Sequence, residues 1–306
     1  MPTTVAVILI GRRVVYLLGM LIDAHHHLWN YDPEQYAWIE DQNLRRDFGV
    51  SDLEQLATEH SIDRFVSVQA RESVEETDWL LNLAQHTDRI AGVVGWLPLA
   101  EAGLSEVLER YSDHKHLVGL RHVIQGLPTT DLWLGEAFGR GIETITAAGY
   151  AYDILIFGNQ LPGAIELVDR HPNARFVVDH IAKPTIEPRA GVMDRDWRNA
   201  FVELARRDNV WCKWSGVATE VRVPEGREPS KSWDAAVVQP YFDTAVEAFG
   251  TRRLMFGSDW PVCLSATRYG RWLDATRSMI ATLSTREQSA IMGGNANEFY
   301  QLKLEK

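Results

Sequence analysis

Asp23-Ala24-His25-His26-His27 follows the apolar pair Leu21-Ile22 and precedes Leu28-Trp29. An apolar lead-in running into Asp and three imidazoles reads as a strand whose C-terminal end carries chemistry. Side chains alternate along a strand, so His25 and His27 face one way and His26 the other. Two neutral imidazoles on one side make half of a metal site, or half of a proton-transfer and oxyanion-binding site. A satisfied polar cluster is the plainer alternative, and the other strand ends must weigh against it. His26 is expected to be a packed or hydrogen-bonded neighbour.

The elements that would position such a pair are visible as alternation. Eight short apolar, β-branched runs are read at 21–26, 64–68, 90–96, 118–122, 152–157, 175–179, 210–214 and 253–257. Between and after them lie amphipathic stretches near 51–60, 74–87, 101–111, 135–148, 159–170, 194–208, 236–249 and 267–282. Eight βα units are the count for a single (β/α)8 TIM barrel. A doubly wound open sheet is the competitor, but no glycine-rich phosphate turn follows the first run. Ser51 with Glu54 and Ser284 with Glu287 have capping-box spacing, and His171-Pro172 and Pro240 are read as boundaries. The longest irregular stretches, 28–50, 181–193 and 217–235, all follow strand C-termini, on the rim where barrels carry their sites.

The strand ends on that rim are polar as a set: His25 and His27, Gln69, Arg121 and His122, Asp153, His180, Lys213 and Asp259. One such coincidence is easy; six or seven directly after Val-, Ile- and Phe-rich runs point to one cavity.

Composition narrows the partners. At 45% hydrophobic and 24% charged residues the chain is expected to be folded and water-soluble. A net charge of −11 disfavours nucleic acid and anionic membrane, though not a small anionic substrate met by a local arginine. Cys212 and Cys263 cannot make a disulfide framework, so a reducing cytoplasm is the expected compartment. Residues 3–10 and 14–22 are apolar but divided by Gly11-Arg12-Arg13, too short on either side to span a bilayer. Residues 1–19 are therefore read as an N-terminal extension with Met20 an alternative start, and 20–306 as the barrel domain. A homo-oligomer is admitted.

These motifs carry a resemblance. Asp23-Ala24-His25-His26-His27-Leu28-Trp29, Gly119-Leu120-Arg121-His122, Val178-Asp179-His180-Ile181-Ala182-Lys183-Pro184, Cys212-Lys213-Trp214-Ser215-Gly216 and Phe256-Gly257-Ser258-Asp259-Trp260-Pro261 resemble the amidohydrolase superfamily. They are most similar to its amidohydrolase-2 branch of sugar-lactone and pyrone-dicarboxylate lactonases. The resemblance runs from about residue 21 to the end. It implies a (β/α)8 barrel hydrolysing small carboxylic or sugar-acid derivatives, with a core site of His25, His27, His180 and Asp259. The fourth run ends in Gly-Leu-Arg-His rather than the bridging lysine of two-metal members, so at most one Zn²⁺ or other divalent cation is expected. Metal-independent activity is equally compatible, since some lactonases of this branch need none.

The expected reaction is lactone opening. Asp259 is read as the base that takes a proton from water and returns it to the leaving oxygen, with a loop cap as the alternative. His180, His25 and His27 would ligate the ion or polarise the carbonyl directly. Arg121 offers a fork to a substrate carboxylate, or a salt bridge to a rim acid such as Asp153. Asp153 would accept from sugar hydroxyls. His122, Gln69, Lys213 and Trp29 are further substrate-binding candidates. Two rivals remain: a single-metal decarboxylase of an unsaturated or aromatic acid using the same residues, and a non-catalytic sugar-acid-binding barrel.

Overall fold

The computed structural model describes residues 8–10, 13–15, 19–188, 193–231 and 233–304. Most of the extension expected over 1–19 lies outside them. Its described part is an antiparallel pair, Ile8–Ile10 against Arg13–Val15.

Among the described residues, eight parallel strands alternate with helices. They are β1 (Ile22–His26), β2 (Arg64–Val68), β3 (Ile90–Gly95), β4 (Leu117–Val123), β5 (Ala151–Leu155), β6 (Phe176–Val178), β7 (Val210–Trp214) and β8 (Leu254–Phe256). Each pairs with the next in sequence order, the topology of a (β/α)8 barrel rather than of an open doubly wound sheet. The ends of the sheet meet at the rim. The Asp259 N–H donates to His25 O at 2.8 Å, and the His27 N–H to Trp260 O at 2.6 Å. Closure thus runs through the residues proposed for chemistry.

The helices are α1 (Val50–His60), α2 (Val74–Gln85), α3 (Leu104–Glu109), α4 (Glu136–Ala147), α5 (Leu161–Arg170), α6 (Arg195–Leu204), α7 (Ala235–Phe249) and α8 (Tyr269–Ile280), then α9 (Thr285–Ser289) and α10 (Asn295–Tyr300). Two terminus expectations change. Helix α1 begins one residue before Ser51, with Gly49 as cap and the Asp52 carboxylate accepting from the Gly49 N–H at 3.0 Å, so Ser51 does not cap. Pro240 lies inside α7, not at its boundary. It stands in the second turn, so its missing N–H removes one hydrogen bond close to the end. The Ser284–Glu287 capping box forms, and α5 ends at Arg170, just before His171-Pro172.

Alternation along the strands separates two apolar layers. Ile22, Ala24, Val66, Val68, Val94, Ala151, Val177 and Met255 gather inside the barrel. Residues such as Phe65, Leu120, Tyr152, Phe176 and Trp214 pack outward under the helices. Phe299 and Tyr300 of α10 join the inner layer, and Arg175, just before β6, donates to Phe299 O. The C-terminal helix therefore plugs the end opposite the rim. The inner layer is apolar below and charged above, which is what confines the polar groups to one mouth. No helix among the described residues is long and apolar enough to cross a membrane.

Candidate active site

The register of β1 against β2 shifts between Asp23 and His26. Asp23 turns out to accept from Tyr269 Oη at 3.0 Å and the Ser258 N–H at 2.9 Å. His26 also turns out, with Nε2 2.8 Å from Ser67 Oγ and its ring edge-on to Phe65. His25 and His27 share the inner side, their Nε2 atoms 3.2 Å apart. The His27 Nδ1–H donates to Val68 O at 2.8 Å, which leaves Nε2 as a free acceptor.

His180 arrives by an unusual route. After β6 the chain makes a left-handed turn, with φ of 54° at His180, 51° at Ile181, 60° at Ala182 and 45° at Lys183. Such residues cost roughly 1 kcal/mol or more each. Burial of Ile181 and Ala182 and a 3.0 Å hydrogen bond from Trp197 Nε1 to Ile181 O hold the turn. Asp259 is left-handed too, at φ 59°. Strain of this kind gathers where geometry matters for function. Gly216, at φ 64°, makes room: a Cβ there would lie 2.6 Å from His180 Nδ1 and 3.0 Å from Asp259 Oδ2.

Asp259 Oδ1 is the point of convergence. It lies 3.3 Å from His27 Nε2, 3.7 Å from His25 Nε2 and 3.8 Å from His180 Nε2. His180 Nδ1 is 2.8 Å from Ser215 Oγ, so its Nε2 too is turned to the centre. Three imidazoles and a carboxylate are donors that a divalent ion takes. Ligand bonds of about 2.0–2.2 Å in a tetrahedron give ligand–ligand edges of about 3.3–3.6 Å. His25, His180 and Asp259 each offer one donor atom within 4.8 Å of the others, a set that fits one ion, and His27 Nε2 stands beside them, 3.2 Å from His25 Nε2 and 3.3 Å from Asp259 Oδ1. Burial would raise the Asp259 carboxyl, but His180, His27 and His25 together hold it well below the usual carboxylate range. Burial also keeps His180 and His25 neutral: His180 is lowered to about 4, and His25, with Lys213 adding to burial, lies well below its usual value.

Beneath the centre lies a charge network. Lys213 Nζ donates to Asp153 and lies 3.1 Å from both His25 Nδ1 and Asp179 Oδ1. Arg121 Nη1 donates to Asp179 Oδ2 at 3.0 Å and lies 3.3 Å from His25 Nε2, while Nη2 donates to Gln69 O. Burial would raise Asp179, but Lys213, His25 and Arg121 hold it well below the usual range. Asp179 is the residue that reading the strand ends missed. Its signal was position: it directly precedes His180 and closes the inward alternation of β6. Ser215, the His180 partner, was also passed over.

Several candidates are placed differently from expectation. Asp153 and Lys213 are fully buried, and both Asp153 oxygens are engaged by Tyr300, one of them also by Lys213, so neither residue is presented to a substrate. The acid that pairs with Arg121 is Asp179, not Asp153. Trp29 is fully buried against Phe48 with Nε1 donating to Arg46 O, so its face is packing. His122 lies on the opposite face of β4 from Arg121, caged by Trp96, Phe138 and Tyr152. Gln69 and Arg121 stay at the site, and Gln69 Oε1 and Arg121 Nε have no partner there among the described residues. Burial pushes the Cys263 thiol up, with Asp259 and Asp23 adding to it, which leaves no reactive thiolate.

The His122 cage has a measurable consequence. Burial lowers this imidazole from 6.5 to about 3. The unfolded chain therefore binds the extra proton between those values, and stability is kept above about pH 6.5 and lost as pH falls toward 3. The loss approaches about 1.4 kcal/mol per pH unit. Denaturant unfolding of His122→Gln and the parent from pH 6.5 to 4.5 should give slopes differing by one proton; equal slopes would show that the cage tolerates the charge.

The model of the family described as Amidohydrolase matches residues 22–302. An L-fucono-1,5-lactonase of Burkholderia multivorans is 37% identical over 298 residues, covering 93% of this chain and 97% of that protein. An L-fucono-1,5-lactonase of Burkholderia ambifaria is 33% identical over 288 residues, 92% of this chain and 95% of that one. A crystal structure of an amidohydrolase from Burkholderia multivorans with bound zinc superposes with a TM-score of 0.87 at 36% identity, over 93% of this chain and all of that one. With the barrel and its strand-end cluster in place, the chain is a hydrolase and belongs to the amidohydrolase family.

Proposed function

We propose that this enzyme opens a small sugar-acid (aldono) lactone by attack of water on the carbonyl, within the barrel of residues 20–306. The observation that carries the reading is the meeting of His25, His27 and His180 Nε2 around Asp259 Oδ1 at 3.3–3.8 Å in a nearly closed mouth. The two relatives that act on L-fucono-1,5-lactone supply the substrate class.

A water held between Asp259 and the imidazoles has one anionic neighbour able to take its proton. A carboxyl held as low as Asp259 keeps a proton only briefly, so it passes it to the ring oxygen as that leaves. Neutral His180 and His25 face the developing oxyanion, with the Arg121 guanidinium behind His25 adding positive charge. Gln69 Oε1 and Arg121 Nε, unpartnered and buried, are left for substrate oxygens and hydroxyls. A divalent ion held by His25, His180 and Asp259, with His27 beside them as a further donor, such as the zinc of the Burkholderia multivorans structure, would supply Lewis acidity and acidify water at this centre.

The test is a panel of aldono-1,4- and aldono-1,5-lactones followed by a pH indicator, with metal content measured on the same sample before and after a chelator. Proton release with at least one hydroxylated lactone is expected. Absence of turnover across the panel, with the metal restored, would refute the reading.

A further inference from the structure

Two charged residues at the mouth play no part in this chemistry. Lys183 ends the left-handed turn that begins at His180. Glu220 ends the short helical turn Val217–Glu220, which starts after Gly216, the residue packed against His180 and Asp259. Each is therefore tied to the reacting centre by three or four residues of ordered chain. Their loops are joined by hydrogen bonds from the Ile186 N–H to Glu220 O at 3.1 Å and from the Arg222 N–H to Ile186 O at 2.8 Å. Lys183 Nζ stands 3.7 Å from Glu220 Oε1, a long ion pair, with each side chain 18% exposed. Lys213 and Arg121, by contrast, are fully and almost fully buried and tightly paired. The charge of Lys183 is felt at His180, and that of Asp259 at Glu220. Phe157, just past β5, is 40% exposed, with its ring centroid 5.9 Å from Lys183 Nζ. The loops after β5, β6 and β7 thus bring an aromatic face, a cation and a carboxylate to one arc of the mouth.

We propose that Lys183 and Glu220 are a specificity pair that recognises the hydroxyls of a polyhydroxylated lactone, with Phe157 covering a C–H face of its ring; this rests on the lactonase reading above. A loose, partly exposed pair can exchange its mutual contact for substrate at little cost. The ammonium donates to ring hydroxyl oxygens, and the carboxylate accepts from neighbouring hydroxyls. Recognition of this kind discriminates, because a ligand without hydroxyls leaves the pair with nothing to bind.

The experiment compares a hydroxylated aldono-1,5-lactone with δ-valerolactone, which has the ring but no hydroxyls. In Lys183→Met and in Glu220→Gln, KM for the hydroxylated lactone should rise roughly tenfold or more with kcat within about threefold, and kcat/KM for δ-valerolactone should not move. Lys183→Arg, which keeps the donor, should recover most of the affinity. Thermal midpoints are measured alongside, and should Lys183→Met fail to fold, the isosteric Glu220→Gln carries the same comparison. Equal losses on both lactones, or an unchanged KM for the hydroxylated one, would overturn the assignment while leaving the lactonase reading intact. A parent enzyme that opens neither lactone would overturn both.

Discussion

Asp259→Asn is expected to lower kcat for lactone opening by on the order of 10³-fold while affinity for the aldonate product changes little. The amide has nearly the shape of the carboxylate but cannot take a proton. The backbone that carries it is fixed independently, by the Asp259 N–H to His25 O and the Cys263 N–H to Asp259 O, both at 2.8 Å, so the variant should keep its fold. Substrate held by Arg121, Gln69 and the mouth residues loses only the step that needs a base. Steady-state kinetics and calorimetric titration of the product, run on the same preparations, separate loss of the chemical step from loss of binding. A decarboxylase would release CO2 from an unsaturated or aromatic acid and leave lactones closed. Retention of kcat within about tenfold by Asp259→Asn would remove this residue from the role of base.

The largest loss of stability is expected from Lys213→Met. Lys213 is fully buried between Asp153 and Asp179, and among the described residues Asp153 is otherwise hydrogen-bonded by the Tyr300 hydroxyl. Removing the cation leaves buried carboxylate charge uncompensated, at a cost of about 3–5 kcal/mol. Methionine fills most of the volume, so packing contributes little to that loss. The double variant Lys213→Met with Asp153→Asn removes one charge of each sign and should recover much of the stability, a non-additivity that identifies charge rather than shape as the cause. Denaturant unfolding of the parent, both single variants and the double variant measures it. A loss under about 1 kcal/mol in the single variant would mean that water already screens the network. The same substitution takes away the cation 3.1 Å from His25 Nδ1, so recovered stability without recovered activity would show that Lys213 also positions that ring.

Reading polar residues at strand ends found most of the cluster, but it could not rank them. Asp153, Lys213, His122 and Trp29 looked like Arg121 and Gln69 in sequence because each lies in or just after an apolar run. What separates them is depth and side. Asp153 and Lys213 stand deeper, where their charges meet each other and Tyr300 from the far end of the chain. His122 is one residue past Arg121 and so lies on the outer face of the same strand. Trp29 is drawn away by the 28–50 loop, which folds back so that Phe48 pairs with it backbone to backbone.

The sequence by itself determined the elements and the common face of His25 and His27, whereas the register shift after Asp23 turned that face inward. Apolar period and βα alternation are local properties, legible over five to fifteen residues, and they suffice for eight strands and the shared face of His25 and His27. The tertiary structure alone decided which charges meet. Lys213 and His25 are 188 residues apart and touch only because the barrel closes, and Asp179 becomes the junction of Arg121, Lys213 and His25 only inside that closed sheet. The left-handed path through His180-Ile181-Ala182-Lys183 runs against the preference of every residue in it, so no propensity could announce it. It persists because surrounding packing and the hydrogen bond from Trp197 outweigh the local cost, and that balance exists only once the whole chain is folded.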